Sequence, residues 1–265
     1  MNHKKLILSI ICVCIVFFNV LAQKGDFLLS TDIGYGFPSG EQDLVPFYSN
    51  SPHIIPYSLG KGINFTVVGD YMFSDCIGAG LDLNMLIGVP TGYTYSANSS
   101  KDPLNVKNSY TGFMFGITPN LIFCFPGSRF NPYARFGLVI GFAEYTLSSS
   151  ESGNNAQTGQ DVWLYSGNDP SIGWYAALGI RLQLKNKRML NIELFDRDLT
   201  YAPGSESNIE AFNGGKTNSN SIPLVYSYTR GNSASNVQLT SVMPFGSAGI
   251  KVGMTFDFGT LKLAR

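Results

Sequence analysis

Eight charged side chains stand in stretches where every second residue is apolar, and they are the groups best placed for chemistry inside this protein. If those stretches are β-strands, each charged side chain points away from the apolar face of its strand. Acids and bases both occur, so they can neutralise one another in an enclosed space, as buried charges require. We therefore predict an internal charge network made of Asp32, Asp70, Asp82, Arg135, Arg181, Glu193, Lys251 and Asp257.

Groups suited to catalysis or metal binding are scarce. Beyond residue 22 the chain has one histidine, His53, in the Pro-flanked stretch SPHIIPY. A lone loop histidine is typical of a solvated side chain, and no CxxC or Gly-rich phosphate loop occurs in a fitting context. We therefore predict no enzymatic activity, no metal site and no cofactor. The alternative is a lipid-modifying hydrolase that uses Ser, His and an acid at the rim of a β-wall.

Two cysteines fall where strands are expected to end. Cys76 stands in a short turn, and Cys124 lies near the end of the strand that pairs next to it. Both occupy strand positions whose side chains are expected to point inward, and both should lie on the same rim of the sheet. An oxidising compartment would permit a Cys76–Cys124 disulfide, and the alternative is a pair of free, half-buried thiols.

The first 22 residues have the layout of a secretory signal peptide. Lys4 and Lys5 precede an apolar run over residues 6–18, and small or aliphatic residues follow at 20–22. The run is short for a membrane-spanning helix, which is the alternative interpretation. We predict cleavage after residue 22 and a single domain over residues 23–265.

Composition favours a β protein and argues against a nucleic-acid partner. The 18 basic and 18 acidic residues balance, whereas nucleic-acid binding favours a basic patch. Charged residues make up only 14%, while Gly (29), Phe (19) and Tyr (14) are abundant.

The strand-like stretches are separated by links that alternate between short and long. This order is typical of an up-and-down membrane barrel, with short turns at one rim and long loops at the other. We predict an eight-stranded antiparallel transmembrane β-barrel with long extracellular loops and periplasmic termini; a soluble β-sandwich is the competing fold. If IPLVYSYT and NVQLTSVM formed a hairpin inside the wall, the barrel would have ten strands. The stretches are GDFLLSTDIGYGF, GINFTVVGDYMF, IGAGLDLNMLIGV, YTGFMFGITPNLIFCF, NPYARFGLVIGFAEY, GWYAALGIRLQL, MLNIELFDRDLTY and KVGMTFDF.

The barrel hypothesis also predicts the surroundings of the two faces of each strand. In lipid, every backbone polar group must be satisfied within the protein, so the apolar faces meet acyl chains and the charged faces point inward. Eight strands leave an interior just wide enough for side chains, which predicts a plugged lumen and a non-enzymatic role. A narrow porin, or a carrier for small or apolar molecules, is the alternative. The long loops, rich in Ser, Asn, Gly and Tyr, are either solvated or a surface that binds an extracellular ligand.

The stretch KVGMTFDF resembles the terminal β-signal of Gram-negative outer-membrane barrels, with Lys251, Gly253, Phe256 and Phe258 at the motif positions. FNPYARFGLVIGF is similar to the fifth strand of the small outer-membrane β-barrel family (OmpA/OmpX-like). The resemblance implies location in the cell outer membrane, contact with outer-membrane lipid and recognition by the barrel-assembly machinery. The chain departs from the pattern because residues 259–265 follow the signal.

Overall fold

The structure, a computed structural model, describes residues 25–39, 42–44, 55–98, 103–125, 129–152, 159–167, 169–184, 187–210, 221–225, 238–239 and 242–260. The predicted signal peptide and His53 lie outside these ranges. Within them the chain forms strands and turns without a helix. No helix that is long and apolar enough to cross a membrane occurs in these residues.

The described residues form seventeen strands, and the long ones among them show the inward and outward alternation expected of period-two structure. They are β1 (Asp26–Pro38), β2 (Gln42–Leu44), β3 (Ile55–Tyr57), β4 (Gly62–Met72), β5 (Ile77–Gly88), β6 (Thr91–Asn98), β7 (Pro103–Cys124), β8 (Phe130–Ser152), β9 (Gly159–Ser166), β10 (Ser171–Gln183), β11 (Arg188–Asp198), β12 (Thr200–Tyr201), β13 (Ser205–Glu210), β14 (Ser221–Val225), β15 (Gln238–Leu239), β16 (Met243–Pro244) and β17 (Ser247–Thr260).

Eight of these strands close into a barrel. Their order around the wall is β8, β10, β11, β17, β1, β4, β5 and β7, and the pairing of β7 with β8 completes the circle. All eight pairings are antiparallel. The predicted eight-stranded antiparallel barrel is confirmed, and closure leaves its backbone hydrogen bonds paired within the wall.

Both ends of the barrel sequence meet at one rim, where Asp26 at the start of β1 pairs with Thr260 at the end of β17. The three short links, which follow β4, β7 and β10, lie at this end. We call it the terminal rim and the opposite end, reached by the long links, the distal rim.

Two of the long links, which we predicted to be loops, contain regular β-strands. β7 and β8 are 22 and 23 residues long and continue past the distal rim as a paired ribbon. β6 pairs with β7 on one side, and β9 pairs with β8 on the other. The polar stretch YTYSANSS is therefore largely strand, because its backbone joins the edge that β7 offers.

The ten-strand alternative is wrong. β14, from the stretch IPLVYSYT, pairs with β13, and β13 in turn pairs with β9, so all three stand outside the closed wall. The contact between β14 and β15 is a short parallel pairing, whereas a hairpin would be antiparallel. These strands extend the β7–β8 ribbon and do not widen the barrel.

The outer face of the wall is apolar along its length. Large hydrophobic side chains alternate with inward polar ones on all eight strands, and they are exposed, as in a barrel surrounded by lipid. Aromatic side chains stand near both ends of this face: Phe73, Phe123, Phe125, Phe130 and Phe258 near the terminal rim, and Phe37, Phe113, Phe142 and Trp174 toward the distal rim.

Candidate functional site

The lumen is the candidate site because it collects the buried polar groups of the described chain. Side chains fill the lumen in successive layers, described here in order from the terminal rim to the distal rim. The first layer is a small apolar cluster of Leu28, Met72, Ile122, Cys124, Tyr133 and Met189. Above it lies the ionic layer, defined here as Asp70, Asp82, Glu193, Arg135, Arg181 and Lys251.

The ionic layer joins opposite sides of the barrel through Arg135. Its Nη2 lies 2.6 Å from Asp70 Oδ2, and its Nη1 lies 3.3 Å from Asp82 Oδ1. Arg181 Nη2 reaches the same Asp70 oxygen at 2.7 Å. All four side chains are almost completely shielded from solvent, so two guanidinium groups share one carboxylate at the centre of the lumen.

Glu193 is the second acidic centre of the ionic layer. Lys251 Nζ lies 3.2 Å from Glu193 Oε1, and Arg135 Nε lies 3.6 Å from Oε2. The hydroxyl of Tyr133 donates to Oε2 at 3.0 Å, and the hydroxyl of Tyr175 donates to Oε1. With three acids and three bases, the layer is formally neutral.

Tyr133 packs in the space that a glycine leaves on the adjacent strand. A Cβ atom at Gly179 would lie 2.3 Å from the Tyr133 ring. Arg181 and Arg135 lie over this ring, 4.7 and 5.4 Å from its centroid. Cation–π contact of this kind stabilises desolvated guanidinium groups, so Gly179 indirectly supports the ionic layer.

Asp32 and Asp257 share the predicted inward phase, but no described lysine or arginine pairs with either. Asp32 is half-buried and accepts a hydrogen bond from Asn191 at 3.1 Å. Asp257 stands at the terminal rim, where its Oδ1 accepts from the backbone of Gly259. The structure thus brings six of the eight predicted charges together.

The four residues that match the assembly signal all lie on β17. Lys251 and Gly253 face inward, whereas Phe256 and Phe258 face outward. A Cβ atom at Gly253 would lie 2.1 Å from Asp32 Oδ1. The motif glycine therefore makes room for an acid on the neighbouring strand.

Arg197 forms a separate layer above the ionic one. Its Nη1 donates to Asn84 Oδ1 and its Nη2 donates to Asn64 Oδ1, both at 3.0 Å. Asn84 in turn donates to Thr118 at 3.1 Å. The side chain reaches from β11 across to β4 and β5, so this layer also spans the lumen.

Beyond Arg197 the lumen becomes apolar. The outer apolar cluster is defined by its buried members Leu59, Leu86, Tyr110, Met114, Val139, Ala143, Tyr145, Tyr175, Ala177, Phe195, Leu199, Tyr201, Met243 and Phe245. Most of them are inward residues of the barrel strands, and the others come from the segments that cross the distal rim.

Phe245 crosses this outer cluster from one wall to the other. It lies two residues before the start of β17, yet a Cβ atom at Gly112 on β7 would lie only 2.8 Å from its ring. β17 and β7 are opposite in the eight-strand circle. Phe245 is fully buried and packs edge-on against Tyr201, with 6.0 Å between ring centroids.

Backbone hydrogen bonds fix the segment that carries Phe245. The N–H of Phe245 donates to Leu199 O at 2.7 Å, and the N–H of Leu59 donates to Pro244 O at 2.8 Å. The hydroxyl of Ser58 donates to Gly246 O at 2.8 Å. The segment is therefore held between the chain that enters β4 and the chain that leaves β11.

Cys76 and Cys124 lie side by side at the terminal rim. The N–H of Cys124 donates to Cys76 O at 2.8 Å, which continues the β5–β7 register in which Ile77 pairs with Phe123. Both are free thiols in the structure.

Several contributors to the lumen were not included in the predicted charge network. Tyr133 and Arg197 have the same strand phase as their charged neighbours, so the period-two pattern could have identified them. Phe245 and Leu59 lie outside the regular strands, where this pattern gives no signal. Among the described residues, no group of three His, Cys, Asp or Glu side chains is placed to hold a metal ion.

Comparisons with known proteins show a likeness among solved structures. No family model matches the chain, and no curated protein matches it. Among solved structures, it is similar to the outer membrane protein AlkL, determined by solid-state NMR in DMPC lipid bilayers. The match has 13% sequence identity and a TM-score of 0.35, and it covers 94% of this chain and 96% of that chain.

Proposed function

We propose that this chain is a non-enzymatic integral protein of the cell outer membrane, with a sealed lumen and an extracellular ribbon that makes surface contacts. One observation supports the sealed lumen above all others. Phe245, held by backbone hydrogen bonds, reaches the opposite wall at Gly112. The ionic and Arg197 layers cross the same path below it.

The membrane location is supported by the distribution of polarity. Exposed apolar side chains cover the outside, including Phe136, Leu138 and Leu178, while Arg135 and Arg181 point inward. This is the reverse of a water-soluble barrel, and it matches a barrel whose outer face meets lipid. The short links and both ends of the barrel sequence share the terminal rim, which we assign to the periplasm.

The extracellular assignment of the distal rim places the β7–β8 ribbon outside the cell. Its β9 strand carries Tyr165, which stacks on Tyr145 with 4.5 Å between ring centroids. This stack packs against the outer apolar cluster and holds β9 to the barrel, while the neighbouring polar residues Ser148, Ser149 and Ser150 of β8 are partly exposed and suit contact with an extracellular ligand. This part of the proposal extends the sequence-based expectation for the loops.

Planar-bilayer conductance tests the sealed lumen. We expect the purified barrel to insert without stable single-channel steps, because the buried Phe245 ring reaches across the lumen to Gly112. Phe245→Ala should admit only brief flicker, because the Arg197 and ionic layers still cross the lumen below it, whereas Phe37→Ala, which removes an outward aromatic ring at the same rim, should stay silent. Stable steps in the unaltered protein would instead establish the narrow porin.

The membrane placement has its own test. Leu138→Arg puts a charge on the outward face and should lower the free energy of unfolding in lipid vesicles by about 2–4 kcal/mol if that site meets the hydrocarbon. A folded, monodisperse protein in detergent-free buffer would contradict the proposal.

A further inference from the structure

Arg197 is a buried cation without an acidic partner. Only 2% of its surface is exposed, and no carboxylate of the described residues lies within ion-pair distance of it. Its two hydrogen bonds go to the neutral amide oxygens of Asn64 and Asn84. In the ionic layer, by contrast, Arg135, Arg181 and Lys251 each contact a carboxylate.

Further unpaired polar groups occur around Arg197. Among the residues that the structure describes, its Nε has no hydrogen-bond partner, and neither does the buried hydroxyl of Ser247 or of Thr66. Ser247 is the direct cross-strand partner of Arg197 on β17. Thr66 follows Asn64 on the inward face of β4 and pairs with Asn84 on β5.

These groups share one chemical character, because each can donate a hydrogen bond. A guanidinium N–H and two hydroxyl O–H groups suit an acceptor that carries negative charge, and a buried cation normally requires such a partner. The Nε atoms of Arg135 and Arg181 likewise form no hydrogen bond with a described residue. There, however, carboxylates already balance the charge, so the argument applies to Arg197 alone.

We propose that Arg197 anchors a binding site for one monovalent anion, a halide or a carboxylate, between the ionic layer and the outer apolar cluster. Asn64 and Asn84 orient the guanidinium, and Ser247 and Thr66 supply hydroxyl donors. The anion is either a small free ion or the head group of an amphiphile whose chain lies among Leu86, Met114 and Phe195 of the apolar cluster. The site goes beyond the proposed function, because a sealed barrel needs no ligand.

Bromide locates the site directly. Crystals of the whole barrel grown in sodium bromide should give an anomalous peak within hydrogen-bond distance of the Arg197 guanidinium. The same peak should be absent from Arg197→Met. A wild-type crystal without density there, or with a water at that position and bromide only elsewhere, would overturn the proposal, and this result does not depend on the folding of any variant.

Thermal unfolding in detergent distinguishes the two sources of the anion. Binding to the folded state alone should raise the Tm of the wild type by about 3 °C for each tenfold increase in anion above Kd. Bromide and acetate should act if a small ion binds, whereas decanoate alone should act if the ligand is an amphiphile.

Matched variants separate this effect from general salt effects on stability. Arg197→Met should lose the shift, and Arg129→Met, which removes an exposed arginine at the terminal rim, should keep it. An equal shift in wild type and Arg197→Met would contradict the anion site. Because conductance and anion binding are measured separately, either proposal can fail without the other.

Discussion

Arg135 and Arg197 are both buried in the same lumen, but their surroundings differ in charge. Arg135 contacts three carboxylates, those of Asp70, Asp82 and Glu193, within a layer that is neutral as a whole. Arg197 contacts two amide oxygens and no described carboxylate. Burial alone therefore does not determine whether the positive charge of a cation is balanced by a carboxylate. The residues on the facing strands determine it.

The difference predicts unequal costs of removing each charge. Taking away one member of a buried ion-pair network leaves the others unpaired in a low-dielectric interior. Taking away a cation that is bonded only to neutral groups leaves no isolated charge behind.

Arg135→Met should produce the largest effect in the lumen. Three acids lose a shared partner, so we expect the free energy of unfolding to fall by about 3–5 kcal/mol. Urea unfolding in lipid vesicles, followed by tryptophan fluorescence, measures it. Arg129→Met is the matched control and should change stability by less than about 0.5 kcal/mol; a comparable loss there would remove the basis of the comparison.

Lys251→Met and Glu193→Gln should be strongly coupled. Their ion pair of 3.2 Å is buried, so a double-mutant cycle should give an interaction free energy of about 1–3 kcal/mol. Lys251→Met combined with Asp257→Asn should be additive within about 0.5 kcal/mol. Additivity in the first cycle would mean that the contact has no energetic weight.

Arg197→Met should cost much less than Arg135→Met. Two hydrogen bonds to neutral acceptors are lost, but the desolvated charge is lost with them, so we expect stability within about 1.5 kcal/mol of the wild type in buffer without halide or carboxylate. The same urea experiment applies. A loss as large as that of Arg135→Met under these conditions would show that the charge is compensated within the protein.

Asp257→Asn should have the smallest effect. Asp257 has the inward phase but is only half-buried at the terminal rim, and its carboxylate accepts from the Gly259 N–H. Asn can accept the same hydrogen bond, so we expect a change below about 0.5 kcal/mol. A loss of several kcal/mol would place Asp257 in the ionic layer after all.

Much of the fold follows from local pattern. Side chains on a strand alternate with period two, so the inward phase of Asp70, Asp82 and Arg135 can be determined from the sequence around each of them. Alternating link lengths gave the up-and-down order. The strand ribbon beyond the distal rim was not predicted, because β6 is largely polar, β9 has only a short apolar run, and both depend on the edges that β7 and β8 offer.

Less of the candidate site could be predicted from the sequence. Arg135 and Asp70 are 65 residues apart and lie on strands that are not neighbours in the wall. Whether they meet depends on strand tilt and stagger, which are properties of the closed barrel. Gly179 likewise acquires its role only because Tyr133 on the adjacent strand lies over it.

Local sequence pattern was enough to predict which side chains face inward and which face of each strand is apolar, because both depend on neighbours one or two residues away. The closed fold settled that eight strands and not ten form the wall, that Asp70 is shared by two arginines, that no described carboxylate pairs with Arg197 and that Phe245 reaches Gly112. Those contacts join residues across the lumen, and their geometry exists only once the eighth strand has closed the wall.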